Sequence, residues 1–176
     1  MINASEIMQA QLARSLGLEK YAEIIRGDPS SPTFQRAFNG YYRIRRNEEW
    51  RNCYYALFRR ARTEELDFSQ IITALFQSTG NVEASFSSKM LATIDPTKPI
   101  WDQYVLQNLG LELNGKTQEE KVKNAITLYR AIEKWYLDYL TTAEAHENII
   151  TFDLLLPKYK WISDVKKVDC LLWGKR

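Results

Sequence analysis

The chain has 176 residues, 45% hydrophobic and 26% charged, an ordinary globular composition that excludes a disordered or low-complexity protein. With 24 Lys and Arg against 22 Asp and Glu the net charge is only +2, so any case for a nucleic-acid or membrane partner has to come from local clustering. No stretch approaches the roughly 20 apolar residues of a membrane span, and the N-terminal MINASEIMQAQLARSLGL has no basic segment followed by an apolar run, so no signal peptide is expected.

Helical punctuation then recurs along the chain. Asn3 and Glu6 form a capping box for a first helix with Ile7, Met8, Leu12 and Leu16 on one face, stopped at Gly17. A short helix follows from Leu18 to Arg26. Ser31 and Pro32 are a good N-cap and first helical position, with Phe34, Ala37, Phe38 and Tyr41 at helical spacing. Arg46 to Arg62 carries Trp50, Cys53, Tyr54, Leu57 and Phe58. Asp67 and Gln70 form a second capping box, opening a helix with Phe68, Ile71, Ile72, Leu75 and Phe76 on one stripe.

Val82 to Ile94 is helical, Asp95 to Pro99 is a rigid break, and Ile100 to Leu109 is a further helix closed by Gly110. Thr117 and Glu120 cap the longest helix, whose core positions are Val122, Ile126, Tyr129, Ile132, Tyr136 and Tyr139. Phe152 to Leu156 is an apolar run readable as strand or helix. Ser163 caps a last helix through Val165, Val168, Leu171 and Leu172. No alternating strand pattern, repeat or linker interrupts this series. The expectation is a compact all-α domain over residues 1–176, with two small lobes sharing one core as the variant.

Several chemistries lack their residues. His146 is the only histidine, and no GxSxG elbow accompanies it. There is no HExxH or Cys/His cluster, so no metal is expected. The seven glycines form neither GxGxxG nor a P-loop, so no nucleotide cofactor is expected. Cys53 and Cys170 stand apart and form no CxxC pair. Two reduced thiols in a cytoplasmic protein without a membrane association are the simplest reading, a structural disulfide the other.

The most informative segment is VEASFSSKMLATIDPTKPIWDQYVLQNLGL, from Val82 to Leu111. Ser85, Ser87 and Ser88 are mediocre helix formers whose small side chains admit a close neighbour or ligand. Lys89 follows on the same helix. Asp102 stands at the start of the next, where a carboxylate is stabilised by the helix dipole. Alone, these residues also fit a solvated lysine and a capping aspartate.

The segment resembles the helix-hairpin-helix DNA glycosylase superfamily, most closely a bacterial group with an 8-oxoguanine-glycosylase-like fold. Pro99-Ile-Trp-Asp102 stands where that family has a short extended stretch ending in its catalytic aspartate. The tail KYKWISDVKKVDCLLWGK is also similar to tails of that group. The resemblance implies a glycosylase-like fold, DNA as partner, base flipping into a pocket, and Asp102 stabilising positive charge on the sugar or activating a nucleophile. Two departures stand out. The family's hairpin is glycine-rich, whereas this one has only Gly80-Asn81. The family's nucleophilic lysine would fall near Ala84, so Lys89 takes that role only with a shortened hairpin.

Two further clusters bear on function. Tyr41, Tyr42, Arg43, Arg45, Arg46, Trp50 and Arg51 interleave aromatics with arginines, which suits phosphates and stacked bases. The other reading is core aromatics beside arginines paired with Glu48, Glu49, Glu64 or Glu65. Lys158, Lys160, Lys166, Lys167, Lys175 and Arg176 make a basic tail, readable as a phosphate-contacting or simply solvated face. Ser85, Ser88, Trp101, Tyr129 and Tyr136 are the candidate pocket residues beside Asp102 and Lys89. The leading expectation is a DNA-glycosylase-like nucleic-acid-binding protein in base-lesion repair. Its competitor is a catalytically inert helical interaction module, followed by a small-molecule enzyme without a recognisable motif.

Overall fold

Helix starts in the computed structural model follow the capping residues. Residues 2–5, 17–25 and 27–174 are described, so the first expected helix falls mostly outside them. Among the described residues the structure is helical, with nine α-helices and no strand. Helices α1 (Leu18–Ile25), α2 (Pro32–Tyr41) and α3 (Glu48–Glu64) are followed by α4 (Phe68–Thr79), α5 (Ala84–Ile94) and α6 (Gln103–Leu109). The long α7 (Gln118–Leu140), then α8 (Ala143–Leu155) and α9 (Asp164–Gly174) complete the set, with a 3-10 turn at Pro157–Tyr159.

The local causes are visible at each end. Ser31 is extended and its hydroxyl accepts from the Thr33 amide ahead of Pro32. Asn47 caps α3 by accepting from the Trp50 amide, so that helix begins at Glu48 rather than Arg46. The Asp67–Gln70 capping box is complete, at 2.8 and 2.9 Å. Gly80 and Gly110 end α4 and α6 in the left-handed region, at φ of 70° and 65°, which glycine adopts without a Cβ penalty. At Thr117 the box is altered. Its hydroxyl accepts from the Glu120 amide, but Glu120 accepts from Lys116 rather than from Thr117.

Further expected boundaries move, and α5 starts at Ala84 rather than Val82. Helix α6 starts at Gln103 because Asp102, extended at φ −131° and ψ 152°, is its N-cap; Ile100 to Asp102 is not helical. The apolar run at 152–156 is the end of α8, which Thr142 caps and Leu156 closes.

One apolar cluster draws on every one of these helices. Phe38 is its aromatic hub, with Phe34, Tyr42, Tyr54, Tyr55 and Phe58 at ring distances of 4.8 to 6.2 Å. Helix α9 packs against α6, α7 and α8 and is buried all round: every residue from Val165 to Leu172 is at most 8% exposed. A helix apolar on one stripe lies on a surface; one covered on all sides is an axis of the core.

This corrects the reading of the basic tail, because Lys166 and Lys167 are inside. Lys167 is paired with Asp153 at 2.9 Å and with Asp164 at 3.2 Å, as a buried charge requires. No helix among the described residues is long and apolar enough to cross a membrane.

Candidate functional site

The stretch Pro99–Asp102 is held from three helices. The Tyr129 hydroxyl on α7 donates to the Pro99 carbonyl at 2.8 Å. The Ile100 amide donates to the Asp169 carboxyl on α9. The Trp101 amide donates to the Ser88 hydroxyl on α5 at 2.8 Å, and that hydroxyl donates to the Ser85 carbonyl. Trp101 stacks beyond Phe68, whose ring lies 3.8 Å from that of Tyr129. Asp102 ends the stretch and accepts from the Tyr104 amide at 2.9 Å. Extended backbone cannot satisfy its own polar groups, so these side chains do it, and Asp102 is thereby fixed in place.

Asp102 opens onto a cleft of about 860 Å³ that also takes in Lys89, Tyr41, Tyr42, Trp101 and Lys166, with Lys20 and Arg43 lining it as well. Lys89 lies with its Nζ 5.5 Å from the Tyr42 ring centre and 5.1 Å from that of Phe86. Burial lowers its pKa from the ordinary lysine value; Asp102 opposes this and Lys166 adds to it. A lysine whose ammonium is disfavoured carries more free amine, the nucleophilic form. The position counted from the family pattern, Ala84, is a 4% exposed core methyl outside the cleft lining, so the cleft's amine on α5 is Lys89.

The other candidate residues divide between the cleft and its supports. Ser85 lines the cleft, and Arg43 does so from a left-handed backbone with φ 53°. Arg45 is exposed. Arg46 is tied to Glu83 at 2.9 Å. Trp50 is not a stacking platform: it is 8% exposed and its indole donates to Glu83. Arg51 is half-buried and off the cleft. Ser88 is fully buried and acts on the backbone of Trp101, not as pocket lining. Tyr129 faces a second groove, about 580 Å³, with Lys98, Arg130 and Glu133. Tyr136 is buried beneath the cleft and donates to Asp169.

Sequence reasoning missed Asp169 and Tyr21, and placed Lys166 in a basic tail rather than in this cleft. Lys166 Nζ lies 4.8 Å from the Tyr21 ring centre and 5.9 Å from that of Tyr41. Burial works against its ammonium, whereas the Asp169 carboxylate, and Tyr41, Cys170 and Tyr42 once ionised, push its pKa above the ordinary lysine value. Burial pushes the Asp169 carboxyl up from 3.8 to about 6, against the pull of Lys166, the Tyr136 hydroxyl and the Ile100 amide. The folded chain therefore binds this proton more tightly than the unfolded chain. The stabilisation is complete at pH below about 4 and is lost as pH rises through about 6, a change of roughly 3 kcal/mol. Urea unfolding from pH 4 to 7 should show a flatter pH dependence in Asp169→Asn than in the parent; identical slopes would rule out this assignment.

Among the described residues no group of three His, Cys, Asp or Glu side chains is arranged to hold a metal ion. The site's chemical means are thus an amine, a carboxylate, aromatic walls and a cationic rim. No protein-family profile matches the chain, and neither a curated protein nor a solved structure is significantly similar to it.

Proposed function

We propose that this is a DNA-glycosylase-like nucleic-acid-binding protein whose cleft acts on a flipped nucleotide in base-lesion repair. The observation that carries the reading is the meeting of Lys89 and Asp102 in one aromatic-walled cleft, each within range of the other's charge. Lys20, Arg43 and Arg45 would face the backbone phosphates, and the extruded nucleotide would enter between Tyr41, Tyr42 and Trp101. The free amine of Lys89 attacks the anomeric carbon. The glycosidic C–N bond breaks, and the base leaves with its electron pair and takes up the proton the amine gives off. Asp102 stabilises the positive charge that builds on the sugar, and opening of the sugar ring leaves an imine on Lys89.

Two measurements test this. Duplex affinity should fall with salt by about 0.9 log units per log unit for each phosphate neutralised. Borohydride should trap a covalent adduct on duplex bearing an abasic site, and Lys89→Met should abolish it. Absence of both duplex affinity at low salt and adduct would remove the reading.

A protein-interaction module remains the second reading, favoured by Leu137 and Leu154, which stand 68% and 76% exposed on α7 and α8. Light scattering over a concentration series would show self-association if these exposed leucines pair two copies.

A further inference from the structure

Lys166 is the cleft residue that bond cleavage at Asp102 leaves without a task. It is only 8% exposed, and among the described residues no carboxylate lies within ion-pairing distance of it. Its neighbour Lys167 has two such partners. Asp169, one turn further on, gives its carboxyl to Tyr136 and the Ile100 amide. Lys89 is in the same condition as Lys166, resting on rings with no carboxylate in pairing range. The two ammonium positions are linked through the Tyr41 and Tyr42 rings, which meet edge to face at 4.7 Å. Each amine rests against one of them; charge on Lys89 is disfavoured by burial, favoured by Asp102 and, to a smaller extent, disfavoured by Lys166.

Ring faces ease the desolvation of an ammonium but do not neutralise it. Two mutually repelling amines on one cavity therefore form a place for an anion, which would relieve their repulsion and accept charge-assisted hydrogen bonds from both. We infer that the inner end of the cleft binds the phosphomonoester of a nucleotide, its oxygens taken by Lys89 and Lys166 and its base lying against the aromatic wall. An internal phosphodiester carries a single charge and a sugar on either side. A monoester carries up to two charges and leads with its phosphate, so it can reach an amine as deeply buried as Lys166. Either a free nucleotide or the phosphorylated end of a strand supplies this chemistry. The inference rests on the nucleic-acid reading of the cleft and is independent of bond cleavage.

Calorimetric titration at low salt, with Trp fluorescence as a second readout, tests it. The probes are a deoxynucleoside 5′-monophosphate, the matching nucleoside, inorganic phosphate, and one single-stranded oligonucleotide with either a 5′-phosphate or a 5′-hydroxyl. The monophosphate should bind about ten-fold or more tightly than the nucleoside, and inorganic phosphate should compete with it. Lys166→Met should erase that preference, whereas Lys158→Met, which loses an exposed pair with Glu19, should keep it. If Lys166→Met melts early, Lys89→Met at its half-buried position should lose the same preference.

A phosphorylated oligonucleotide that outbinds the mononucleotide identifies a strand end as the source; equal affinity identifies the free nucleotide. Equal binding of nucleoside and nucleotide, or a phosphate preference that survives in both lysine variants, overturns the inference. Phosphate preference without base release would remove the glycosylase activity and leave this site standing. Base release without phosphate preference would do the reverse.

Discussion

Asp102→Asn is expected to lower base release by about 10²- to 10³-fold with the fold unchanged, the size of loss seen when one preorganised electrostatic group is taken from a reacting centre. The substitution separates two roles that the residue combines. As an N-cap, Asp102 accepts from the Tyr104 amide, and asparagine caps about as well as aspartate. As a carboxylate group in the cleft, it would on the proposed reading stabilise a cationic sugar, and it opposes the burial that disfavours charge on Lys89; asparagine would do neither. The melting temperature should therefore hold while release or nicking of a lesion-bearing duplex collapses. An Asn variant with parental activity would leave Asp102 only its cap. Asp102→Ala is the useful contrast, since it should add about 1 kcal/mol of lost capping to the same loss of rate.

Phe38→Ala is expected to destabilise the protein by about 3–5 kcal/mol. The ring is fully buried and touches five other aromatic rings drawn from α2, α3 and the turn after α2. Removing it leaves a cavity that stiff rings cannot collapse to fill, which puts the cost at the upper end of such substitutions. For a chain of this size, thermal unfolding should shift down by about 10 °C. The damage should also reach the cleft, because Tyr42, 4.8 Å from Phe38, is the ring on which Lys89 rests. A loss below about 1 kcal/mol would mean that the rings repack without a hub.

Local punctuation made most of the helices legible. Ser31-Pro32, Asp67-Phe-Ser-Gln70 and Ser163 act through hydrogen bonds that their own neighbours make, so spacing alone announces them. Where partners come from far away, the text misleads. Lys166 and Lys167 read as part of a phosphate-contacting or solvated face, because nothing near them in sequence reveals Tyr21, Tyr41 or Asp153. Trp50 reads as a stacking platform because Glu83, which receives its indole N–H, lies on another element. Helix α8 shows in the sequence only as an apolar run at its end, readable as strand or helix. It buries Asn148 and exposes Leu154, the reverse of an amphipathic pattern, since Asn148 is satisfied by the backbone of Ile2 and Ala4.

At the candidate site, Lys89 and Asp102 could be singled out as residue types at a suggestive spacing. Whether they share a cavity depends on how Tyr129, Ser88 and Asp169 pin the stretch between them, a three-helix arrangement that no local pattern encodes. The glycosylase-like fold itself stays a reading of residues, while the all-helical architecture is what the structure displays.

The all-round burial of α9 bears on how the chain is made. A ribosome delivers residues in order, and the segment that Val165 to Leu172 must occupy stays vacant until they have emerged. Until then α6, α7 and α8 present to solvent the apolar faces that α9 later covers. Consolidation of this core therefore waits for Val165 to Leu172, and a chain that lacks them exposes apolar surface of the kind that makes folding intermediates prone to aggregate.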